Sequence, residues 1–232
     1  MAGKLRLVCA TRASKDRFVA ETLLGRSMAL LKSVRPMEVR VFPENAAALP
    51  AVYNQAIADA AADPAILVFI HDDVALCDFH FATRIEEGLA HFDILGLAGN
   101  KRRLPRQPGW AFAKVENGRF AWDEREYLSG VVGHGEGFPS RNLSVYGPPG
   151  QPCALLDGLL LAADSARLID AGLRFDPRFK FHFYDMDFCR QAELKGLRMG
   201  TWPISVVHKS GGSYGGPAWQ ESYRAYLDKY GD

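Results

Sequence analysis

Two adjacent carboxylates end an apolar run in the stretch 66–78, ILVFIHDDVALCD, where five apolar residues lead into His71, Asp72 and Asp73. Neighbouring ionised carboxylates repel each other, and each is costly to remove from water. A positive group is therefore expected beside them. Carboxylate oxygens suit Mg²⁺ and Mn²⁺, which also accept substrate phosphates as ligands. The alternatives are a loop pair that caps the next helix, or two solvated acids.

A second acidic pair, Asp185 and Asp187, lies at or near the start of a helix predicted over residues 185–195 and closed by Gly196. Carboxylates there favour the positive end of a helix. The functional alternative is that one of the two is a general base at the mouth of the same site.

A third carboxylate, Asp157, interrupts the apolar stretch LLDGLLLAADS and is followed by Gly158. A buried carboxylate needs a partner. Asp157 therefore either binds a sugar hydroxyl or pairs with Arg174 or Arg178.

His208 ends the predicted strand TWPISVVHKS, where a neutral imidazole is either a metal ligand or a structural residue. The residues after it, KSGGSYGG, begin with Lys209. Lysine, serines and backbone amides in a glycine-rich loop are suited to closing over phosphates. The alternative is a plain linker to the last helix.

The elements that must position these residues alternate along the first half of the chain. Apolar patterns predict strands over 4–11, 37–42, 65–70 and 93–99, and helices over 16–34, 49–63 and 82–92. Such alternation favours a mostly parallel sheet with helices on both faces. Ligands of these sheets bind outside the carboxyl ends of the strands. The positions to watch are therefore Thr11, Arg12, Glu44, Asn45 and the stretch 71–73.

The second half is less regular. Residues from about 100 to 152 are rich in Gly, Pro and Arg, which predicts long loops and an antiparallel hairpin around 110–122. A strand running into a helix follows over 153–173, and the amphipathic stretch AWQESYRAYLDKY predicts a final helix.

Bulk composition excludes several classes of function. The chain has 232 residues, 48% of them hydrophobic, and a net charge of +1, so no pull towards nucleic acid or anionic membranes is expected. Its four cysteines include no CxxC pair, which argues against a zinc cluster and favours free thiols in the cytoplasm. No signal peptide or transmembrane run of about 20 residues is recognised. A membrane-borne substrate would be approached from the soluble side.

In this order, the motifs resemble nucleotide-sugar glycosyltransferases of the GT-A fold, in particular the family-2-like domain of streptomycin-biosynthesis-type proteins. The matching motifs, over residues 5–213, are VCATR, YNQAI, ILVFIHDDV, LLDGLLLAA, GLRFDPRFKFHFYDMDFCRQAELKGLR and VVHKSGGS. The resemblance implies one α/β domain with a mostly parallel central sheet and a small antiparallel element. Residues 1–100 would be its nucleotide-binding half, 101–215 its acceptor and catalytic half, and 216–232 its C-terminal helix.

The resemblance also implies roles for individual residues on the donor side. Asp72 and Asp73 take the place of the family's DxD motif, so that Asp73 would ligate the metal and Asp72 would contact the ribose or the metal shell. The positions implied for holding the nucleotide base and ribose are Thr11, Arg12 and Glu44, with Asn54 on the helix beside that pocket. The chemistry of the loop after His208, rather than the resemblance, predicts that Lys209 contacts phosphate.

On the acceptor side, Asp157 and Gly158 fall where donor sugar and acceptor meet, and His208 falls where metal or diphosphate binding is completed. Asp185 falls at the position of the base in inverting members. The family commonly has Glu-Asp there, whereas this chain has Tyr184-Asp185, which leaves the base between Asp185 and Asp187.

The resemblance therefore predicts a Mn²⁺- or Mg²⁺-dependent transferase that moves a sugar from an NDP-sugar to a carbohydrate or other hydroxyl acceptor, with inversion. Two alternatives are a sugar nucleotidyltransferase and an inactive glycan- or nucleotide-binding module. The stretch CATRASKDR has Arg12 and Lys15 but no glycine, which counts against the nucleotidyltransferase.

Overall fold

The computed structural model describes residues 3–231. Its helices are α1 (Lys15–Glu21), α2 (Leu23–Leu31), α3 (Leu49–Asp59), α4 (Phe81–Leu89), α5 (Ser165–Asp170), α6 (Tyr184–Leu194) and α7 (Pro217–Tyr230). Its strands are β1 (Leu5–Ala10), β2 (Glu38–Phe42), β3 (Ile66–Ile70), β4 (Val74–Leu76), β5 (Ile94–Gly96), β6 (Ala98–Asn100), β7 (Phe112–Glu116), β8 (Arg119–Trp122), β9 (Leu128–His134), β10 (Asn142–Gly147), β11 (Leu155–Leu156), β12 (Leu160–Asp164), β13 (Met199–Thr201) and β14 (Val206–His208). No helix within these residues combines the length and the apolar character that a membrane crossing requires.

The first sheet has the strand order β13-β5-β12-β3-β1-β2. β1 runs parallel to β2 and β3, β13 runs parallel to β5, and β12 is antiparallel to both of its neighbours. Every residue of β3 is buried, as expected for a strand covered by helices on both faces. The prediction of a mostly parallel central sheet is therefore confirmed.

The second sheet has the order β11-β6-β9-β14-β4, with β10 paired to β9. It has six strands, as the first sheet does, and its size was not predicted from the sequence; the expected small antiparallel element corresponds to β7 and β8. The predicted strand over 93–99 divides at Leu97, and its two parts, β5 and β6, join different sheets. Gly130 permits this crossing, because a Cβ there would lie 2.0 Å from the carbonyl oxygen of Leu97. The predicted hairpin around 110–122 is confirmed as β7 and β8.

The predicted helix over 16–34 is two helices, α1 and α2. Thr22 separates them, because its hydroxyl donates to the carbonyl of Phe18 and accepts from the backbone N–H of Gly25. A Cβ at Gly25 would lie 2.0 Å from the Phe18 carbonyl oxygen, so the glycine allows this sharp turn. The apolar pattern correctly predicted helical structure over these residues, but it did not reveal the cap at Thr22 that divides the helix in two.

Candidate functional site

The second sheet, the start of α6 and the loop after β14 enclose a cavity of about 450 Å³. Among its lining residues are four that the sequence placed at the site: Asp157, Gly158, Asp185 and His208. Thr11, Arg12, Glu44, Asp72 and Asp73 are outside this lining, on loops that follow β1, β2 and β3.

A possible metal-ligand cluster adjoins the cavity. His71 and Asp73 follow β3, and His208 ends β14, which pairs with β4 so that His208 lies opposite Val74. One ligand atom from each of His71, Asp73 and His208 lies within 4.8 Å of the others. The sequence had proposed Asp73 and His208 as ligands; the structure adds His71, which also lines the cavity.

The electrostatics of the cluster explain why the chain tolerates the adjacent carboxylates Asp72 and Asp73 at this position. Burial opposes ionisation of Asp73, but the hydrogen bond and charge of His208, whose Nε2 lies 3.3 Å from Oδ1, hold the pKa of Asp73 below its usual range. Burial likewise opposes the charging of His208, but Asp73 raises the pKa of His208 overall. Burial lowers the pKa of His71, which favours the neutral, metal-ligating form.

The orientation of His71 is fixed by Tyr184. The Tyr184 hydroxyl donates to the carbonyl of Gly158 at 2.8 Å, so it accepts from Nε2–H of His71, also at 2.8 Å. This leaves Nδ1 of His71 as the nitrogen with a free lone pair. Metal-ligating histidines commonly have one nitrogen held in this way.

The donor set fits a divalent transition-metal cation. Two imidazoles and one carboxylate suit first-row metals including Mn²⁺ better than Mg²⁺, which prefers oxygen ligands throughout. Asp72 is not part of the cluster. Its Oδ2 accepts a hydrogen bond of 2.6 Å from the Thr11 hydroxyl.

Asp185 faces the cavity from the first turn of α6. Its Oδ2 accepts from the backbone N–H of Gly158 at 3.0 Å, and its Oδ1 accepts from that of Met186 at 2.9 Å. Burial, with the neighbouring charge of Asp157, raises the pKa of Asp185 to about 7. A carboxyl of that pKa is able to accept a proton near neutral pH.

Asp157 also lines the cavity, and its Oδ1 accepts from the backbone N–H of Leu159 at 2.9 Å. The expected alternative, an ion pair with Arg174 or Arg178, is wrong. Arg174 donates to main-chain carbonyls, and Arg178 pairs with Asp176.

Asp187 does not face the cavity, which removes it from the candidates for a base. Its side chain is fully buried between α6 and α7. Oδ1 accepts from Lys229 at 2.5 Å and from the Tyr230 hydroxyl at 2.7 Å, while Oδ2 accepts from Gln191 at 2.6 Å. These bonds give Asp187 a structural role, because every partner belongs to the helix junction.

Asn54 is not among the residues that line the cavity. Its Nδ2 donates to the carbonyl of Phe175 at 2.7 Å, and its Oδ1 accepts from the N–H of Phe175 at 2.9 Å. Both ends of the amide are therefore used to hold a distant loop against α3, and the predicted substrate contact is wrong.

The remaining predicted donor-side residues lie at the edge formed by the loops after β1 and β2. The N–H of Glu44 donates to the carbonyl of Ala13, and that of Asn45 to Thr11, so the two loops hold each other. The side chains of Arg12 and Glu44 are exposed. The side chain of Lys209 pairs with Glu136 at 2.8 Å, while its N–H donates to the carbonyl of Asp73.

Sequence reasoning named His71 among the strand-end positions to watch but did not assign it as a metal ligand, and it missed Tyr184 as a site residue. His71 had a visible signal, since it directly precedes the acid pair at the end of a buried strand. Tyr184 had appeared only as a departure from a family motif. His134 was missed as well; it lines the cavity and its Nε2 lies 2.8 Å from the Ser144 hydroxyl.

No protein-family model matches the sequence, and no curated protein matches it either. Among solved structures, the chain is similar to GalNAc-T7 with UDP, GalNAc and Mn²⁺, at a TM-score of 0.52 and 11% identity, over 100% of this chain and 50% of that one. It is also similar to the catalytic domain of Drosophila β1,4-galactosyltransferase 7 in complex with xylobiose, at a TM-score of 0.45 and 8% identity, over 86% of this chain and 64% of that one. A third is S. aureus TarS 1-349, at a TM-score of 0.43 and 14% identity, over 91% of this chain and 59% of that one.

The chain thus spans between half and two thirds of the length of these three structures. The likeness to GalNAc-T7, with the strand order of the first sheet, shows that the fold is of the GT-A type.

Proposed function

We propose that this protein is a metal-dependent glycosyltransferase, which moves a sugar from an NDP-sugar to an acceptor hydroxyl with inversion at the anomeric carbon. One observation carries the proposal: Asp185, with a pKa raised to about 7, lines the same cavity as His71 and His208 of the metal-ligand cluster. The GT-A-type fold supports it, and GalNAc-T7, which shares that fold, contains UDP, GalNAc and Mn²⁺.

His71, Asp73 and His208 would hold the cation. When bound, a divalent cation neutralises the charge that develops on the pyrophosphate leaving group. Mn²⁺ is the proposed ion, with Mg²⁺ the second choice, because the cluster contains two imidazoles.

The nucleotide would lie over the loops that follow β1 and β2. Thr11 holds one oxygen of Asp72, which leaves the other oxygen for a ribose hydroxyl. Arg12 and Glu44 are exposed at the same edge and would contact the base and ribose. Lys209 would contact phosphate after leaving Glu136, its partner in this structure.

Asp185 would act as the base. Backbone N–H groups of Gly158 and Met186 fix its two oxygens, which keeps the carboxylate aimed into the cavity. It accepts the proton of the acceptor hydroxyl as that oxygen attacks the anomeric carbon from the face opposite the leaving group. Asp157, also in the lining, would accept a hydrogen bond from a sugar hydroxyl.

The test is calorimetric titration of UDP, GDP, dTDP and CMP, each with and without Mn²⁺. We expect one nucleotide class to bind in a Mn²⁺-dependent manner, and we expect Asp73→Asn and His208→Gln to abolish that dependence. Asp228→Asn, which neutralises an exposed carboxylate of α7, is the matched control and should bind as the wild type does. Absence of binding by every nucleotide in the presence of Mn²⁺ would overturn the proposal.

Turnover separates the transferase from a glycan- or nucleotide-binding module. Release of nucleoside diphosphate from the corresponding NDP-sugar, with water or an added sugar as acceptor, is expected only of the transferase. Binding without release under all of these conditions would favour the module.

A further inference from the structure

Three aromatic side chains lie at the mouth of the cavity and remain largely exposed. Trp122 is 59% exposed, Phe181 is 53% exposed and Tyr214 is 40% exposed, and all three line the cavity. Single exposed aromatics are common on protein surfaces, but several around one cavity mark a binding surface.

These rings are held in place by other rings. Trp122 and Tyr214 both pack on the buried ring of Phe112, with centroid distances of 4.8 and 5.1 Å. Phe181 stacks on His71 at 6.3 Å, with an angle of 21° between the planes. Rings that are fixed before binding lose little conformational entropy when a flat ligand face covers them.

The charge of the cavity restricts what can bind there. Among the described residues that line it, none is Lys or Arg, whereas Asp157 and Asp185 both contribute carboxyl groups. An anionic ligand beside the aromatic rings would meet these two carboxyl groups. The basic side chains of the lining are histidines, of which His71 and His208 belong to the metal-ligand cluster. Juxtaposed like charges strongly disfavour a complex.

We propose that Trp122, Tyr214 and Phe181 form the acceptor subsite, and that the acceptor is a sugar without anionic groups, either neutral or amine-bearing. This inference rests on the proposed glycosyltransferase function. The apolar C–H face of a pyranose ring stacks on Trp122, which directs a hydroxyl of the same ring towards Asp185.

A bond forms between the acceptor oxygen and the anomeric carbon, while the bond from that carbon to the pyrophosphate oxygen breaks. The electron pair leaves with the nucleoside diphosphate, and the hydroxyl proton passes to the Asp185 carboxylate.

The test uses full-length protein with saturating Mn²⁺ and its nucleoside diphosphate. Saturation-transfer NMR and competition titration compare methyl glucoside, methyl galactoside, glucosamine, glucose 6-phosphate and glucuronic acid. We expect at least one neutral or amino sugar to bind through its C–H protons, and the two anionic sugars to bind at least about tenfold more weakly. Trp122→Ala should weaken sugar binding by about tenfold and leave nucleotide affinity unchanged.

Phe138→Ala is the matched control, because Phe138 is 80% exposed but does not line the cavity. Phe181→Ala provides a second test, at the ring that stacks on His71. Anionic sugars that bind as well as neutral ones would overturn the inference, and so would unchanged sugar affinity in both cavity variants. Absence of binding by every sugar, with nucleotide binding intact, would overturn the acceptor assignment alone and leave the proposed function standing.

Discussion

The first turn of α6 carries two carboxylates, Asp185 and Asp187, into two regions of the molecule with opposite effects on them. Asp187 is fully buried at the junction with α7, where Lys229, Tyr230 and Gln191 satisfy both of its oxygens. Asp185 faces the cavity, where backbone N–H groups are its hydrogen-bond donors and the charge of Asp157 lies nearby.

The role of a carboxylate here depends more on its hydrogen-bond and charge partners than on its position in a motif. At the junction, a buried charge is balanced by a side-chain cation, so the pair holds two helices together. In the cavity, the charge is not balanced in that way, and burial shifts its pKa towards neutrality, as is common for functional acids and bases. Both environments lie within a single turn of one helix.

The largest effect is expected on turnover. Asp185→Asn removes the proposed base, so we expect the rate of nucleoside diphosphate release to fall by about 10²–10⁴-fold, with nucleotide affinity unchanged. In the wild type, kcat/KM should rise with pH up to about 7 and level off above it, because the base must be ionised. Steady-state kinetics across pH measure both quantities. A wild-type rate in the Asp185→Asn variant would show that Asp185 is not the base.

The next largest effect concerns how the free energy of unfolding depends on pH in metal-free buffer. The pKa of Asp185 is raised from 3.8 to about 7 on folding, so the folded state binds its proton more tightly than the unfolded chain. Its stabilising contribution is complete below pH 4 and is lost as the pH rises through 7. A shift of about three pKa units corresponds to about 4 kcal/mol, an upper value for this buried site.

The Asp185→Asn variant should not show this loss of stability as the pH rises. Urea unfolding at pH 4, 5.5 and 8 should show the variant gaining stability relative to the wild type as the pH rises. A difference between the two proteins that stays constant across this range would show that Asp185 ionises normally.

At the helix junction, the expected effect is on folding and not on catalysis. Among residues 3–231, Asp187→Ala leaves the ammonium of Lys229 with Asp176 as its anionic partner, at 2.8 Å. Breaking a buried pair costs about 3–5 kcal/mol, and the remaining contact places our expectation near 3 kcal/mol. Urea unfolding measures the loss. The double variant Asp187→Ala/Lys229→Met should recover part of it, whereas a loss of nucleotide affinity in folded protein would contradict the structural role.

The sequence predicted those parts of the fold and site that local pattern controls. Apolar patterns located β1, β2, β3, β5 and β12 of the first sheet, but not β13. The hairpin of β7 and β8 was predicted from the composition of its region. The strand-end rule singled out the stretch 71–73, and the family resemblance implied that His208 lies beside Asp73, although the two are far apart in sequence. The helix start before Asp185 was also visible, because an acidic residue in the first turn is a local signal.

Most of the errors involve contacts between distant segments, although the cap at Thr22 that divides the predicted helix over 16–34 is local. The amide of Asn54 is satisfied by Phe175, 121 residues away, and Asp187 is satisfied by Lys229, 42 residues away. The apolar periodicity of a helix does not predict which of its faces will contact a partner that is distant in sequence. The division at Leu97 depends likewise on the close approach of Gly130.

The smallest predicted effects concern two tyrosine hydroxyls, that of Tyr184 beside the cavity and that of Tyr230 at the junction of α6 and α7. Tyr184→Phe removes the hydroxyl that orients His71, so we expect Mn²⁺ affinity to fall by about 10–100-fold, because partners that orient metal ligands have effects of this size. Tyr230→Phe removes a hydroxyl from Asp187, at the junction, and should leave Mn²⁺ affinity unchanged while it lowers stability by about 1 kcal/mol. Calorimetry without nucleotide measures the first quantity and urea unfolding the second. Equal losses of Mn²⁺ affinity in both variants would mean that the two faces of α6 are energetically coupled, which the separate hydrogen-bond networks around Asp185 and Asp187 argue against.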